Sequence, residues 1–255
     1  MNRKEIAVFG ARSKSAQYLA EQLELQGYQV SVYSSQPLMS YEQVYDIYNS
    51  IEELPRLNAD VVVYFSWATS RDEKDQKVAA YAATRFAKYA RLQNVDVIFI
   101  STLAALPRFS RSHYGNYKSE AEMAMRRYGH SILRPATVVS KSDPNFSSSM
   151  ESFLKFEAMV RIFSYLTKKL LIPTVDIETF SSTLLTLIGT TEPVEINLIQ
   201  EVSIFENFVN ISPAQFHLPI PWSLISKISI RGEVLDRLLT LVTVSEWLSE
   251  NRTQP

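Results

Sequence analysis

Tyr114 and Lys118 stand four residues apart in Ser112-His113-Tyr114-Gly115-Asn116-Tyr117-Lys118-Ser119, a spacing that puts both side chains on one face of a helix. An ammonium beside a phenol favours the phenolate and lowers a pKa that is ordinarily about 10, so Tyr114 is a candidate general acid/base near neutral pH. A hydroxyl at the end of a neighbouring strand, Ser101 or Thr102, is expected to hydrogen-bond a substrate oxygen and share the charge that develops on it. A Tyr-x-x-x-Lys pair also occurs as a plain surface contact, so the elements around it decide its meaning.

The segment Ile6-Ala7-Val8-Phe9-Gly10-Ala11-Arg12-Ser13-Lys14-Ser15-Ala16 reads as a strand running into a helix start, where backbone N–H groups and the helix dipole hold a pyrophosphate. Of the glycines that mark such a cradle only Gly10 is present, with the small residues Ser13 and Ala16 in the other two places. Arg12 and Lys14 either neutralise phosphate or are solvated charge. The second strand ends in Ser34-Ser35-Gln36, with no Asp or Glu for a ribose diol, which favours NADP(H) slightly over NAD(H).

These residues need a scaffold, and the apolar patterning supplies one. Short β-branched runs at Glu5 to Phe9, Gln29 to Tyr33, Asp60 to Phe65, Val95 to Ser101 and Ser131 to Leu133 are candidate strands. Val61 to Phe65 is apolar at every position, as in a strand covered on both faces. Helical stretches lie between them at Ser15 to Gln26, Lys74 to Gln93 and Ser112 to Tyr128, with Gly27 and Gly129 where C-terminal caps fall. The alternation predicts an α/β protein: a Rossmann-like doubly wound parallel sheet with a small C-terminal substrate lobe. The expected division is a dinucleotide-binding core over 1–140, with contributions from 170–190, and a substrate lobe over 141–255. That lobe opens on a Ser-rich stretch and includes a strand at Leu171 to Val175.

Composition removes several functional classes. A chain of 255 residues, 46% apolar and 21% charged, buries a full core. A net charge of -1 without long runs of either sign argues against nucleic-acid partners and membrane insertion. Cysteine is absent and the three histidines, His113, His130 and His217, are scattered, so no metal site is expected. The N-terminal apolar run is only about four residues long, and the expected location is the cytoplasm.

The ordered set of these features resembles the extended short-chain dehydrogenase/reductase superfamily, the NAD-dependent epimerase/dehydratase group of nucleotide-sugar enzymes. The resemblance runs through the first turn, Asp46 in Tyr45-Asp46-Ile47, Asp60 to Ala68, Val97 to Ala104, Tyr114 to Glu122, Leu133-Arg134-Pro135 and Pro173-Thr174-Val175-Asp176-Ile177. It implies that Tyr114 is the catalytic tyrosine, that Lys118 holds the nicotinamide ribose and tunes that tyrosine, and that Thr102, with Ser101 as fallback, is the catalytic hydroxyl. It further implies that Gly10, Arg12, Ser13, Lys14 and Ser15 meet the phosphates and Asp46 the adenine amine. Phe65, Ser66, Trp67 and Ala68 would line the cofactor, and Pro135, Thr137 and Val138 would lie against the nicotinamide. Trp67 departs from the family, which carries small residues there; it either narrows the cleft or packs in the core.

Other residues are weaker candidates. Arg108 and Arg111 precede Tyr114 and present guanidinium forks that suit a phosphate or carboxylate, or simply face solvent. Trp222, in His217-Leu218-Pro219-Ile220-Pro221-Trp222, suits a rigid wall of a substrate cleft or a packing turn. Glu120 and Glu122 read as a solvated helix face. The reading that follows is an NAD(P)-dependent oxidoreductase or epimerase acting on a carbinol or ketone of a sugar or nucleotide-sugar, in surface-polysaccharide or related biosynthesis. The alternative is a catalytically silent dinucleotide-binding sensor or assembly protein. The helices at Lys74 to Gln93 and Ser112 to Tyr128 could pair in a homodimer, although the alanines at 79, 80, 82, 83 and 87 would equally suit packing against the sheet.

Overall fold

The computed structural model describes residues 4–36, 43–48, 56–106, 112–143, 145, 146, 148, 170–204 and 232–251. Seven parallel strands form the main sheet: β1 (Glu5–Phe9), β2 (Gln29–Ser34), β3 (Gln43–Val44), β4 (Val61–Tyr64), β5 (Asp96–Ile100), β6 (Ser131–Pro135) and β9 (Glu195–Leu198). Their spatial order is β3-β2-β1-β4-β5-β6-β9, which reverses direction of growth between β1 and β4. A second sheet sets β8 (Leu171–Asp176) between β7 (Thr137–Val139), parallel to it, and β10 (Glu201–Ile204), antiparallel to it.

The central strands are buried on both faces because each face carries its own helices. Ile6, Val8, Val61, Val63, Ile98 and Ile100 meet Leu19 and Leu23 of α1 (Lys14–Leu25) and Phe180, Leu184 and Ile188 of the helix that follows β8, Ile177–Ile188. The alternate residues Ala7, Phe9, Val62, Tyr64, Val97 and Phe99 meet Ala83, Phe86 and Ala87 of α2 (Glu73–Leu92) and Ala121 and Met125 of α3 (His113–Arg127). The helix at Ile177–Ile188 is α4, and α5 (Gly232–Asn251) packs against β8, where Leu171 donates its N–H to Ser245 Oγ at 2.9 Å. α1 and α3 run out at Gly27 and Gly129, both with positive φ.

The doubly wound parallel sheet is therefore the one read from the sequence. β9 lies beyond residue 190, in the stretch read as substrate lobe, yet it hydrogen-bonds to β6 as the seventh strand of the main sheet. Ala79, Ala80, Ala83 and Ala87 are at most 1% exposed within the single chain, so they serve the packing of α2 on the sheet. Among the described residues no helix is long and apolar enough to cross a membrane, and no cluster of metal-ligating side chains occurs.

Candidate active site

Parallel strands all point their C-terminal ends at one edge, and the β1/β4 reversal opens a crevice there. Gly10 to Ser15 follow β1, Phe65 to Ala68 follow β4, Ser101 and Thr102 follow β5, Pro135 ends β6, and Thr137 and Val138 open β7. Asp46 lies just past β3, where its carboxylate accepts the Tyr48 N–H at 3.0 Å. Tyr114 and Lys118 enter from the first turns of α3. Arg108, Arg111, His217 and Trp222 lie outside the described residues.

Gly10 is required by space and by conformation. Its φ is +86°, and an added Cβ would stand 2.6 Å from the Ser66 backbone nitrogen and 2.8 Å from the Phe65 carbonyl carbon. The turn is thus pressed against the segment after β4. The N–H groups of Gly10 and Ala11 donate to the Tyr33 carbonyl, and that of Ser13 donates to the Gly10 carbonyl. Ser13 begins α1 without a side-chain capping bond, so first-turn N–H groups stay directed at the crevice, beside exposed Arg12 and Lys14. This arrangement fits a diphosphate. Arg12 Nη1 also donates to Gln36 Oε1 at 3.3 Å, which holds the guanidinium beside the end of β2.

Thr102 lies beside the Tyr114 phenol, and its hydroxyl acts to lower the pKa of that phenol. Thr102 is held in place because its Oγ1 accepts the Ala104 N–H and opens a short 3-10 turn at Leu103–Ala105. Ser112 caps α3 by accepting the Gly115 N–H at 3.0 Å, which fixes the turn that carries Tyr114. Ser101 is not available as a second hydroxyl. Its Oγ donates to Glu122, which is 1% exposed and accepts both Nε and Nη2 of buried Arg134 at 2.7 Å. Glu122 is therefore no solvated residue: the turn of α3 that bears it faces β5 and β6, and the carboxylate is buried because two arginines compensate it. Arg126 adds a bond at 3.0 Å, and Glu195 on β9 bridges Arg126 and Arg134. The arginines hold the Glu195 carboxyl at about 2, well below the usual carboxylate range.

Lys118, which the resemblance places at the nicotinamide ribose, is packed inward. It is 3% exposed, and its Nζ donates to the Ile100 carbonyl at 2.7 Å. The ammonium lies 4.0 Å from the Trp67 ring centroid and 4.6 Å from that of Phe99, but 5.9 Å from that of Tyr114. Burial draws its pKa down to about 7, against the pull of Glu122. Trp67 is held over it by Nε1 donating to Gln76 Oε1 at 2.7 Å, and its ring stands edge-on to Tyr114. Trp67 thus both packs against Phe99 of the core and covers the lysine.

Among the described residues, the cation nearest the Tyr114 ring is one the sequence did not single out. Arg71, buried, places Cζ 3.7 Å from the Tyr114 ring centroid. Its Nη1 is 3.9 Å from Oδ2 of buried Asp236 on α5, and Oδ1 of that carboxylate accepts the His113 N–H at 2.6 Å at the start of α3. Tyr114 as a whole is raised above its ordinary pKa, because enclosure of its hydroxyl outweighs the lowering by Arg71, Arg237 and Thr102. The expectation that a neighbouring lysine brings Tyr114 toward neutrality fails here because Lys118 turns to Ile100 and Trp67. Nothing in sequence spacing marks Arg71 or Asp236; Arg71 meets Tyr114 from the segment before α2, and Asp236 comes to it through the packing of α5 on α3.

The fold is the one seen in solved short-chain dehydrogenase/reductase proteins. No protein-family model and no curated protein matches the sequence. Solved structures do match over nearly the whole chain. The Bordetella bronchiseptica enzyme WbmH in complex with NAD+ is 15% identical, with TM-score 0.64 over 98% of this chain and 99% of that one. Thermus thermophilus UDP-glucose 4-epimerase in complex with NAD is 13% identical, with TM-score 0.63 over 94% and 98%. A short-chain dehydrogenase/reductase superfamily protein from Agrobacterium tumefaciens with bound NAD is 13% identical, with TM-score 0.61 over 97% and 99%.

Proposed function

We propose that the chain is an NAD(P)-dependent short-chain dehydrogenase/reductase or epimerase that acts on a carbinol or ketone of a sugar or nucleotide-sugar. The observation that carries this reading is the placing of Thr102 beside the Tyr114 phenol at the mouth of a doubly wound sheet, next to a turn fit for a diphosphate. A bound nicotinamide dinucleotide would supply the hydride donor or acceptor. The first turn of α1 with Arg12 and Lys14 holds the phosphates, Asp46 meets the adenine, and Phe65 to Ala68 with Pro135, Thr137 and Val138 line the rest. Thr102 orients the substrate oxygen, and Tyr114 Oη takes the carbinol proton on oxidation and returns it on reduction. NADP(H) is preferred because Arg12 is held beside a β2 end that carries no carboxylate, although the matched structures hold NAD. A small-molecule substrate, a cytoplasmic location, a place in surface-polysaccharide synthesis and a homodimer complete the reading. Exposed Tyr81 and Met123 on α2 and α3 offer the dimer surface.

Calorimetric titration with NADPH, NADP, NADH and NAD, followed by turnover assays on nucleotide-sugars, tests the proposal. Binding of one cofactor, with turnover lost in Tyr114→Phe while binding persists, supports it. Unchanged turnover in Tyr114→Phe removes the proton-transfer role. The second reading, a silent dinucleotide-binding sensor or assembly protein, is favoured by Trp67, which covers the ammonium that a ribose would need. Cofactor binding with no turnover of any substrate would select it.

A further inference from the structure

We propose that Arg71, held over Tyr114 by Asp236, is the positioning residue that stabilises the Tyr114 phenolate in this chain, in place of Lys118. The inference rests on the reading of Tyr114 as the proton-transfer group, but its test does not depend on turnover. The geometry is specific: the guanidinium carbon is 3.7 Å from the Tyr114 ring centroid, whereas the Lys118 ammonium is 5.9 Å from it. Lys118 is also spent, since its Nζ donates to the Ile100 carbonyl and rests on Trp67.

The two cations differ in how they respond to pH. A guanidinium keeps its charge at every working pH, whereas a buried ammonium that loses its proton near neutrality stops acting as a cation when the tyrosine needs it. Asp236 faces Arg71 from α5 at 3.9 Å as a buried counter-charge without a hydrogen bond between those two atoms, while the same carboxylate takes the His113 N–H at the positive end of α3. Among the described residues, the charged and titratable groups facing Tyr114 are Arg71 from the segment before α2, Lys118 from α3 itself, and Asp236 and Arg237 from α5; Thr102 after β5 adds a hydroxyl. Asp236 opposes the effect of Arg71 on the phenol and limits it. α5 therefore reaches the site through Asp236 and Arg237, and its docking sets how far the field of Arg71 on the phenol is opposed.

The test is a pH titration of the Tyr114 ring carbon by NMR on tyrosine-labelled protein, with Tyr114→Phe to assign the signal. It is run on the full chain and on Arg71→Met, Arg71→Lys, Asp236→Asn and Lys118→Met. Losing a cation in contact should move the Tyr114 midpoint upward by roughly one pH unit in Arg71→Met. Arg71→Lys should restore part of that shift, Asp236→Asn should move the midpoint downward, and Lys118→Met should move it by less than half as much as Arg71→Met. A larger effect from Lys118→Met than from Arg71→Met, or no effect from Arg71→Met in a folded protein, overturns the proposal. If Arg71→Met does not fold, the double variant Arg71→Met/Asp236→Asn removes the buried counter-charge as well and is read against Asp236→Asn alone: a midpoint above that of Asp236→Asn supports the proposal, and an equal one overturns it. A Tyr114 midpoint that follows Arg71 in a protein that binds no dinucleotide would leave this inference standing and remove the enzymatic reading.

Discussion

Replacing Glu122 by leucine tests what holds α3, and with it Tyr114 and Lys118, against the sheet. The carboxylate is 1% exposed and receives hydrogen bonds from Ser101 Oγ, from Arg134 Nε and Nη2 at 2.7 Å, and from Arg126 Nη2 at 3.0 Å. Removing one member of a buried ion pair costs about 3–5 kcal/mol, chiefly because the partner charge stays buried without compensation. Arg134 is itself 3% exposed but keeps Glu195 at 2.7 Å and Asn197 at 3.1 Å, so the expected loss is at the lower end, about 3 kcal/mol. That is a large share of the roughly 5–15 kcal/mol that stabilises a typical domain. Equilibrium urea unfolding of the wild type, Glu122→Leu, Arg134→Met and the double variant gives the cycle. The double variant should be more stable than Glu122→Leu alone, because it removes the orphaned guanidinium. A loss below about 1 kcal/mol in Glu122→Leu, or a double-variant cost equal to the sum of the singles, would refute the claim that these charges act as one buried unit.

Three further outcomes follow from the same geometry. Gly10→Ala forces a Cβ to 2.6 Å from backbone at positive φ, and a stability loss of about 2 kcal/mol or more, with loss of dinucleotide affinity, is expected by urea unfolding and calorimetry. Lys118 has a folded pKa of about 7 against 10.5 ordinarily, so the unfolded chain binds more protons between those values and the group's contribution to stability rises with pH across that window. The stability of the wild type relative to Lys118→Met should therefore climb from about pH 7 to pH 10, and parallel pH curves would contradict the assigned burial. Trp67→Ala uncovers the ammonium: calorimetry should show tighter nicotinamide dinucleotide binding and an upward-shifted Lys118 titration, and unchanged values for both would show that the indole does not restrict the site.

The fold was legible because it rests on short-range patterning. Val61 to Tyr64 is apolar without alternation, and such a run is stable only between two helix layers. Gly10 was legible for a similar reason, since the strand-to-helix turn needs a residue without a side chain wherever another backbone comes close. The Tyr114–Lys118 spacing fixed a shared helix face, and Thr102 after β5 was within reach of it. β9 was harder to read: Glu195–Leu198 alternates exposed and half-buried positions, as an edge strand does, and nothing local says which sheet it joins.

The sequence by itself determined which residue types could do chemistry and which strand ends would carry them, because spacing along a helix and alternation along a strand are local properties. The tertiary structure alone decided their electrostatics. It sent Lys118 to the Ile100 carbonyl and Trp67, committed Ser101 to Glu122, buried Glu122 between two arginines, and brought Arg71 onto Tyr114 with Asp236 behind it. Each of these pairings joins residues far apart in the chain, and charge in a low-dielectric interior depends on which groups meet there, whatever their distance in sequence.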